Sequence, residues 1–519
     1  MKTLLSALCL TTALALPALA QETPTPGGTL DVIVQPEPPG LVIGIVANGP
    51  AGLVGGSIYE SLLRYDANLD PEPSLAKSWE ISEDGLTYTF HLQDGVKWHD
   101  GEPFTADDVL FTLQTMLPKT LVKARMTMDH VESVTAPDPL TVVFKLKAPF
   151  EPFIRAFNYG SLPMMPKHIY EGVEDYARAP ANDTPIGTGP FKFVEWKKGS
   201  YIKLEKFQDY YLKGKPYLDD VIYHIIPDAS SRSVAFETGV VDVLPGGSVE
   251  NFDVPRLTGL DNSCNTTKGW EFYSPLSWLW VNEANPILAN VKIRQAMMYA
   301  MDRDFMVDVL WNGMGKPADG PITSTTPFYS APEKPFYPHD PKKAKALLKE
   351  AGYDGTPIKL LPLPYGETWQ RWAEVVRQNL EDVGFKVEMQ STDVAGWNQR
   401  LAQRDYDIAF TYLYQNGDPE LGVARNYLST NRDAGSPWNN VEGYVNPEVD
   451  KLFNAAAIAF PAEKRQELYS QVQGILREDL PVLWLTEMSF PTIYNCHVQN
   501  LVSTASGVNN GLRDAWIKQ

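Results

Sequence analysis

The chain has 519 residues, with 45 Lys and Arg against 64 Asp and Glu, and a formal net charge of −19 at pH 7. This length exceeds what one hydrophobic core usually organises, so two or three structural units are expected. The acidic balance, without any cluster of basic residues, argues against a nucleic-acid partner, because phosphate binding needs concentrated positive charge.

The first twenty residues have the pattern of a secretory signal peptide. MKTLLSALCLTTALALPALA carries Lys2, a short apolar stretch and the small-residue pattern Ala18-Leu19-Ala20 before Gln21. Cys9 lies inside the apolar stretch and lacks the small residue before it that lipid attachment requires. We therefore expect cleavage of residues 1–20 and a mature periplasmic protein without a lipid anchor.

Two cysteines, Cys264 and Cys496, remain after that cleavage. In an oxidising compartment they could form one disulfide that closes a very long loop. Two separate buried thiols are the alternative, and the sequence alone leaves both open.

The first half of the chain alternates extended segments and turns. The glycine-rich stretch from Gly49 to Gly56 matches no phosphate-binding pattern, so it predicts a loop before a helix at Ser57, with a backbone cradle for a ligand as the alternative. SWEISEDGLTYTFHL predicts a β-hairpin. Thr105 and Asp108 predict a capping box at a helix start. Further strands are predicted at LTVVFKLKAPF and SYIKLEKF.

From about Trp270 onward, predicted helices and strands alternate. Asp340, Pro341 and Gly352 delimit one helix as N-cap, first turn and stop. Gly384 ends another, and RDYDIAFTYLYQ follows as a strand. This alternation predicts a mixed α/β sheet with helices on its faces, and such sheets bind ligands at the ends of their strands.

No catalytic or metal-binding pattern is found in the sequence. The G-x-S-x-G pattern fails at GGSIY, neither H-E-x-x-H nor C-x-x-C occurs, and the seven histidines are scattered. We therefore expect a non-enzyme without metal or cofactor. Carboxylates are plentiful, so a glycosidase pair stays open on residue count, and an exported glycan hydrolase is one alternative.

The second half is instead rich in aromatic side chains beside amides. Amphipathic rings with a few amides suit a pocket that binds without reacting. Trp372 lies at helical spacing from Trp369 and is predicted to pack in the core. The candidate ligand contacts are Asn48, Tyr159, Trp278, Trp280, Tyr365, Trp369, Trp397, Tyr412, Gln415, Asp418, Trp438 and Asn440.

Several blocks carry a family resemblance. LAKSWEISEDGLTYTFHLQDGVKWHDGEPFTADDV closely resembles the signature stretch of the family 5 extracellular solute-binding proteins, which are the dipeptide-, oligopeptide- and nickel-type receptors of ABC importers. The stretch from GTGPFKFVEW to AFETGVVDV, NVKIRQAMMYAMDRDFMV, DPKKAKALLKEAGY and NVEGYVNPEVDKL are similar to further blocks. The matches are in order and cover nearly the whole mature chain.

The resemblance implies an α/β protein with the two-lobed periplasmic-binding-protein type II fold (cluster C), with an extra subdomain inserted in the first lobe. It assigns 27–58, 170–270 and 490–519 to the first lobe, 59–169 to the subdomain and 271–489 to the second lobe. The crossings between the lobes would lie near WEFYSPLSWLWVN and WLTEMSFPTIYN.

The function implied by the resemblance is that of a monomeric receptor that closes around a small solute. Ligand contacts from both lobes favour the closed form, and the closed protein would present both lobes to a membrane permease powered by a cytoplasmic ATPase.

Two positions depart from the family pattern. Dipeptide- and oligopeptide-binding members carry an aspartate that pairs with the peptide ammonium where this chain has Gln415. Dipeptide binders also carry an arginine that clamps the carboxylate where this chain has Leu363. A buried ammonium without its counter-ion is strongly unfavourable. We therefore expect a ligand other than a free dipeptide: a neutral oligosaccharide, a sugar conjugate, or a longer or modified peptide. A receptor for a metal complex or haem is a further alternative.

Overall fold

A seven-stranded mixed sheet forms the first lobe of the computed structural model, which describes residues 23–432 and 439–518. The predicted signal peptide lies outside the described residues. Leu30, Val32 and Val34 face one hydrophobic cluster, while Ile33, between Val32 and Val34, faces another, so both faces of the sheet are covered. In spatial order the strands are Ser263–Thr266, Thr492–Asn495, Val243–Leu244, Thr29–Val34, Asp220–Ile225, Tyr201–Lys206 and Phe191–Lys197.

A four-stranded antiparallel sheet forms the inserted subdomain and contains the predicted hairpin. Tyr88, Phe90 and Leu92 alternate with more exposed residues and point into the subdomain core, where Phe90 meets Phe144 edge to face with ring centroids 5.7 Å apart. In spatial order the strands are Ala76–Ile81, Thr87–Leu92, Thr141–Leu146 and Val131–Asp138.

A six-stranded sheet forms the second lobe. Its central strand, Leu276–Val281, is buried on both faces because helices cover each side. In spatial order the strands are Gly315–Pro317, Val482–Met488, Leu276–Val281, Ile408–Leu413, Ile358–Leu361 and Val387–Met389. Two small ribbons pair Leu63–Tyr65 with Pro71–Pro73 and Val498–Gln499 with Trp516–Ile517.

The helices fall into the same two groups as the sheets. Those of the first lobe and subdomain are Gly49–Gly55, Ala106–Leu110 continuing through Phe111–Met116 to Leu117–Thr120, Val122–Met128, Pro152–Ala156, Lys167–Tyr170, Ala229–Glu237 and Val254–Thr258. Those of the second lobe are Val291–Ala300, Arg303–Phe305 continuing through Met306–Leu310, Pro341–Glu350, Glu367–Val383, Val394–Gln403, Pro419–Gly422, Pro447–Ile458 and Ala462–Asp479. Within the described ranges, none of these helices has the length and apolar character needed to cross a membrane.

Most of the predicted helix boundaries are confirmed, including the capping box of Thr105 and Asp108. The prediction at the glycine-rich stretch is wrong, because the helix is Gly49–Gly55 itself and does not start at Ser57. The Asn48 side chain accepts a hydrogen bond from the Ala51 amide at 2.9 Å. This cap, with Leu53 buried against the core, outweighs the entropic cost of the glycines.

The chain passes between the two large sheets twice, in residues 267–275 and 489–491. The second passage falls within the segment WLTEMSFPTIYN predicted as a crossing, and the first overlaps the predicted segment WEFYSPLSWLWVN from Trp270 onward. On the first-lobe side, the strands Ser263–Thr266 and Thr492–Asn495 are antiparallel neighbours. A disulfide joins Cys264 to Cys496 there, across a sequence separation of 232 residues that contains the whole six-stranded sheet. The second lobe is therefore attached at its base by two adjacent, covalently linked strands.

Candidate ligand-binding cleft

Aromatic side chains of the crossing segments lie where the two lobes meet. Trp270 on the first crossing packs against Phe490 on the second, with ring centroids 5.0 Å apart. Tyr273 lies 5.3 Å from the ring of Tyr414, and its hydroxyl hydrogen-bonds the hydroxyl of Tyr159 at 2.7 Å. The predicted site residue Tyr159 thus reaches the second-lobe aromatics through the crossing, although burial leaves it only 4% exposed.

Tyr412 forms the second-lobe side of this aromatic group. It is half-buried at the end of strand Ile408–Leu413 and stacks on Trp369 with ring centroids 4.7 Å apart and planes 15° apart. Burial raises the pKa of the Tyr412 phenol to about 12, so the hydroxyl stays neutral and can both donate and accept hydrogen bonds. A stacked, rigid ring of this kind offers a flat surface for a ligand.

Gln415 follows the strand and is 2% exposed. Its backbone amide donates to the Tyr273 carbonyl at 2.7 Å, and its side-chain Nε2 donates to the Pro321 carbonyl at 3.3 Å. The Oε1 atom is buried and has no hydrogen-bond partner among the described residues. Because an unsatisfied buried acceptor is costly, this oxygen is suited to receive a hydrogen bond from a bound molecule.

Asp418 is fully engaged with the protein. Its carboxylate accepts two hydrogen bonds from Arg465, at 3.0 and 2.8 Å, and one from the Glu420 backbone amide at 2.9 Å. Arg465 also contacts Glu151 of the inserted subdomain. The expectation that Asp418 contacts a ligand is therefore corrected: it holds the fold and the lobe contact together.

The tryptophans predicted as ligand contacts lie mainly inside the second lobe. Trp278 is 2% exposed, and Trp280 and Trp397 are 0% exposed. Trp280 and Trp397 pack with ring centroids 6.1 Å apart, and Tyr365, 43% exposed, borders Trp397 at 6.4 Å. Of this group only Tyr365 offers substantial free surface. Trp372 is 0% exposed, as its predicted packing role requires.

The remaining described candidates form hydrogen bonds that hold local structure. Asn48 caps the helix Gly49–Gly55. Asn440 is 1% exposed, and its side-chain amide donates to the Tyr444 carbonyl at 2.8 Å and accepts from the Gly443 amide at 3.0 Å. Its hydrogen bonds hold a turn, which gives it a structural role. Trp438 lies outside the described residues.

Two cations that sequence reasoning missed face the junction of the lobes. The ammonium of Lys123, on helix Val122–Met128, lies 3.3 Å from the Asn416 side-chain oxygen of the second lobe. The Lys123 side chain as a whole is exposed, but the protein around its ammonium and the nearby charge of Arg425 lower the pKa of Lys123 to about 8. Burial also lowers the pKa of Arg425. No pattern marks either residue, because isolated basic residues are usually surface groups.

Comparison with known proteins gives one consistent result. Residues 70–435 match the family model described as bacterial extracellular solute-binding proteins, family 5 Middle. A glutathione-binding protein of Pectobacterium atrosepticum is 31% identical over 443 residues, which cover 83% of both chains.

Solved structures agree with that match. The substrate-binding protein CtaP of Listeria monocytogenes superposes with a TM-score of 0.84 at 28% identity, covering 95% of this chain and all of that chain. The periplasmic binding protein DppA of Helicobacter pylori, in complex with the peptide STSA, gives 0.81 at 27% identity and covers 95% and 99%.

Proposed function

Since the chain belongs to family 5 of the bacterial extracellular solute-binding proteins, we propose that it captures an organic solute without a free primary ammonium. The solute is bound between the two lobes and delivered, chemically unchanged, to an ABC import permease. The two chain crossings, which join neighbouring strands in each sheet, are suited to hinge closure around such a solute.

The observation that carries the proposal is the chemistry around Gln415. A neutral amide occupies this buried position, and the nearest carboxylate along the chain, Asp418, is already paired with Arg465. An ammonium placed beside Gln415 would therefore be desolvated without a counter-ion. A neutral N–H or O–H would instead satisfy the free Oε1 atom.

The aromatic group supports recognition of a polar organic molecule by stacking. Tyr412 and Trp369 present a rigid face, and flat rings pack well against sugar rings, amide planes and apolar side chains. Glutathione, named for the curated relative, and the peptide STSA, named for the solved neighbour, support a solute of oligopeptide size. An oligosaccharide, a sugar conjugate and a modified peptide all fit this description.

The N-terminal sequence supports export of the protein to the periplasm. Cleavage after Ala20 would release the mature chain into the periplasm, and the position of Cys9 opposes lipid attachment. We propose that the mature protein acts as a monomer, with the permease as its membrane partner. The intact mass of protein recovered from a periplasmic extract tests the cleavage site and the absence of lipid.

Native mass spectrometry of protein purified without unfolding tests the function. We expect a population that carries one organic molecule, whose mass is unchanged after release, rebinding and prolonged incubation. Conversion of the molecule would identify a hydrolase and overturn the proposal. A bound free dipeptide would overturn the ammonium argument, and a stoichiometric metal in elemental analysis would favour a metal-complex receptor.

A further inference from the structure

We propose that the captured solute carries an anionic oxygen group, a carboxylate or phosphate, that binds between Lys123 of the inserted subdomain and Arg425 of the second lobe. This inference rests on the proposed function, since it names a chemical feature of the same solute. It adds a positively charged subsite to the aromatic surface of Tyr412 and the free oxygen of Gln415.

The two cations come from opposite sides of the cleft. Lys123 belongs to helix Val122–Met128 of the subdomain, yet its ammonium contacts Asn416, the residue after Gln415 in the second lobe. Arg425 lies in the helical turn Ala424–Asn426. Just before this turn, the backbone at Gly422 passes close to Gln415: a Cβ added at Gly422 would lie 2.1 Å from the Gln415 carbonyl oxygen. Both cations are therefore placed near the Gln415 segment.

Neither cation is neutralised by a carboxylate of the part of the chain that the structure describes. Within residues 23–432 and 439–518, Lys123 and Arg425 form no ion pair with a carboxylate. The Arg425 Nε atom is buried and makes no hydrogen bond. This is unusual in a chain with 64 acidic and 45 basic residues, where an available carboxylate is the ordinary partner of a buried guanidinium.

An anionic ligand would satisfy both groups at once. A guanidinium presents two parallel N–H donors that match a carboxylate or phosphate, and an ammonium adds a compact third donor. Without the anion, the two like charges repel each other across the cleft and oppose closure. Binding of the anion converts that repulsion into attraction, so the differential affinity for the closed form increases.

Matched probe pairs test this inference, with thermal stabilisation and calorimetry as readouts. The pairs are N-acetylated dipeptides against their C-terminal amides, uronic-acid disaccharides against neutral disaccharides, and sugar phosphates against the neutral sugars. We expect the anionic member of at least one pair to bind more tightly, by about tenfold to a hundredfold, the range for hydrogen bonds to charged groups. The first two pairs report carboxylate recognition and the third reports phosphate recognition.

Variants assign the preference to the two cations. Lys123→Gln and Arg425→Gln should each remove the preference for the anionic probe, while Arg125→Gln, an exposed residue on the same helix as Lys123, should retain it. Circular dichroism and the unfolding midpoint confirm that each variant is folded.

Equal binding within every pair, absence of binding by all anionic probes at millimolar concentration, or a preference that survives in both variants overturns the inference. A neutral solute found intact in the cleft would leave the proposed function standing while rejecting the anionic subsite. Turnover of the solute would reject the function itself, so the two failures are distinguishable.

Discussion

Asp418 and Arg465 form a buried bidentate ion pair, with oxygen–nitrogen distances of 3.0 and 2.8 Å and both side chains fully inaccessible to solvent. Arg465 is also paired with Glu151, which lies just before helix Pro152–Ala156 of the subdomain. The Arg465 guanidinium therefore links the segment after strand Ile408–Leu413, its own helix Ala462–Asp479 and the inserted subdomain.

Removal of the Asp418 charge should destabilise the protein. In Asp418→Asn the buried Arg465 loses its main counter-ion, and breaking such a pair costs about 3–5 kcal/mol. Urea denaturation followed by fluorescence measures the free energy of unfolding. Lys464→Gln is the control, because the Lys464–Glu467 pair is exposed, and its effect should stay within about 0.5 kcal/mol. An unchanged stability in Asp418→Asn would contradict the structural role.

Substitution of Gln415 should change ligand selection. Gln415→Asp introduces a carboxylate at a buried position that now holds a neutral amide. Binding of molecules with a primary ammonium should therefore improve, by about tenfold or more for one charge-assisted hydrogen bond. Calorimetry with a panel of free dipeptides measures the change, with the unmodified protein as the reference. Micromolar binding of free dipeptides by the unmodified protein would refute the explanation.

The aromatic surface should contribute directly to affinity. Tyr412→Ala should weaken binding of the retained solute by roughly 1–3 kcal/mol, the scale for a desolvated aromatic anchor. Trp397→Ala is the informative contrast: since Trp397 is fully buried, its loss should lower the free energy of unfolding by about 3–5 kcal/mol. Competition binding and denaturation on both variants separate the two roles. Unchanged affinity in Tyr412→Ala would place the ligand elsewhere.

Acidification should destabilise the protein partly through His99. Burial lowers the pKa of His99 from 6.5 to about 4, and the hydrogen bond between Nε2 and the Gly189 carbonyl oxygen, at 3.0 Å, opposes this shift only in part. Nδ1 accepts a hydrogen bond from the Gly187 amide at 3.3 Å. Between these values the unfolded chain binds the extra proton, so stability is retained above pH 6.5 and falls as pH decreases towards 4, by up to about 3 kcal/mol.

The His99→Asn variant checks this assignment. Its free energy of unfolding should depend less on pH between 6.5 and 4 than that of the unmodified protein. His91→Asn, on the partly exposed strand Thr87–Leu92, serves as the control and should keep the original slope. Identical slopes in all three proteins would show that other groups account for the acid sensitivity.

Loss of the disulfide should lower stability without unfolding either lobe. The bond between Cys264 and Cys496 closes a long loop, and removal of a native disulfide typically costs about 2–5 kcal/mol. The Cys264→Ala/Cys496→Ala double variant measures this cost by denaturation, and thiol alkylation with mass analysis verifies the bond in the unmodified protein. A midpoint equal to that of the unmodified protein would show that the two crossing strands need no covalent link.

The sequence by itself determined the local elements and the family. Strand alternation in Thr87–Leu92, the capping box at Thr105 and the N-cap at Asp340 depend on residues a few positions apart, and each appears in the structure where the pattern placed it. The order and spacing of the blocks that resemble the family identified the solute-binding family, and the family model matches residues 70–435. The helix Gly49–Gly55 was wrongly predicted as a loop, because tertiary packing outweighed the low helix propensity of its glycines.

Only the tertiary structure decided which polar and aromatic residues lie at the junction of the lobes. Trp278 and Tyr412 both belong to strands of the second-lobe sheet, but one is enclosed in the core and the other stacks at the lobe junction. Asp418 forms an ion pair with Arg465 on a later helix. Lys123 of the inserted subdomain hydrogen-bonds Asn416 of the second lobe. These relationships depend on long-range packing, which places side chains from distant parts of the chain in contact and which no short sequence pattern encodes.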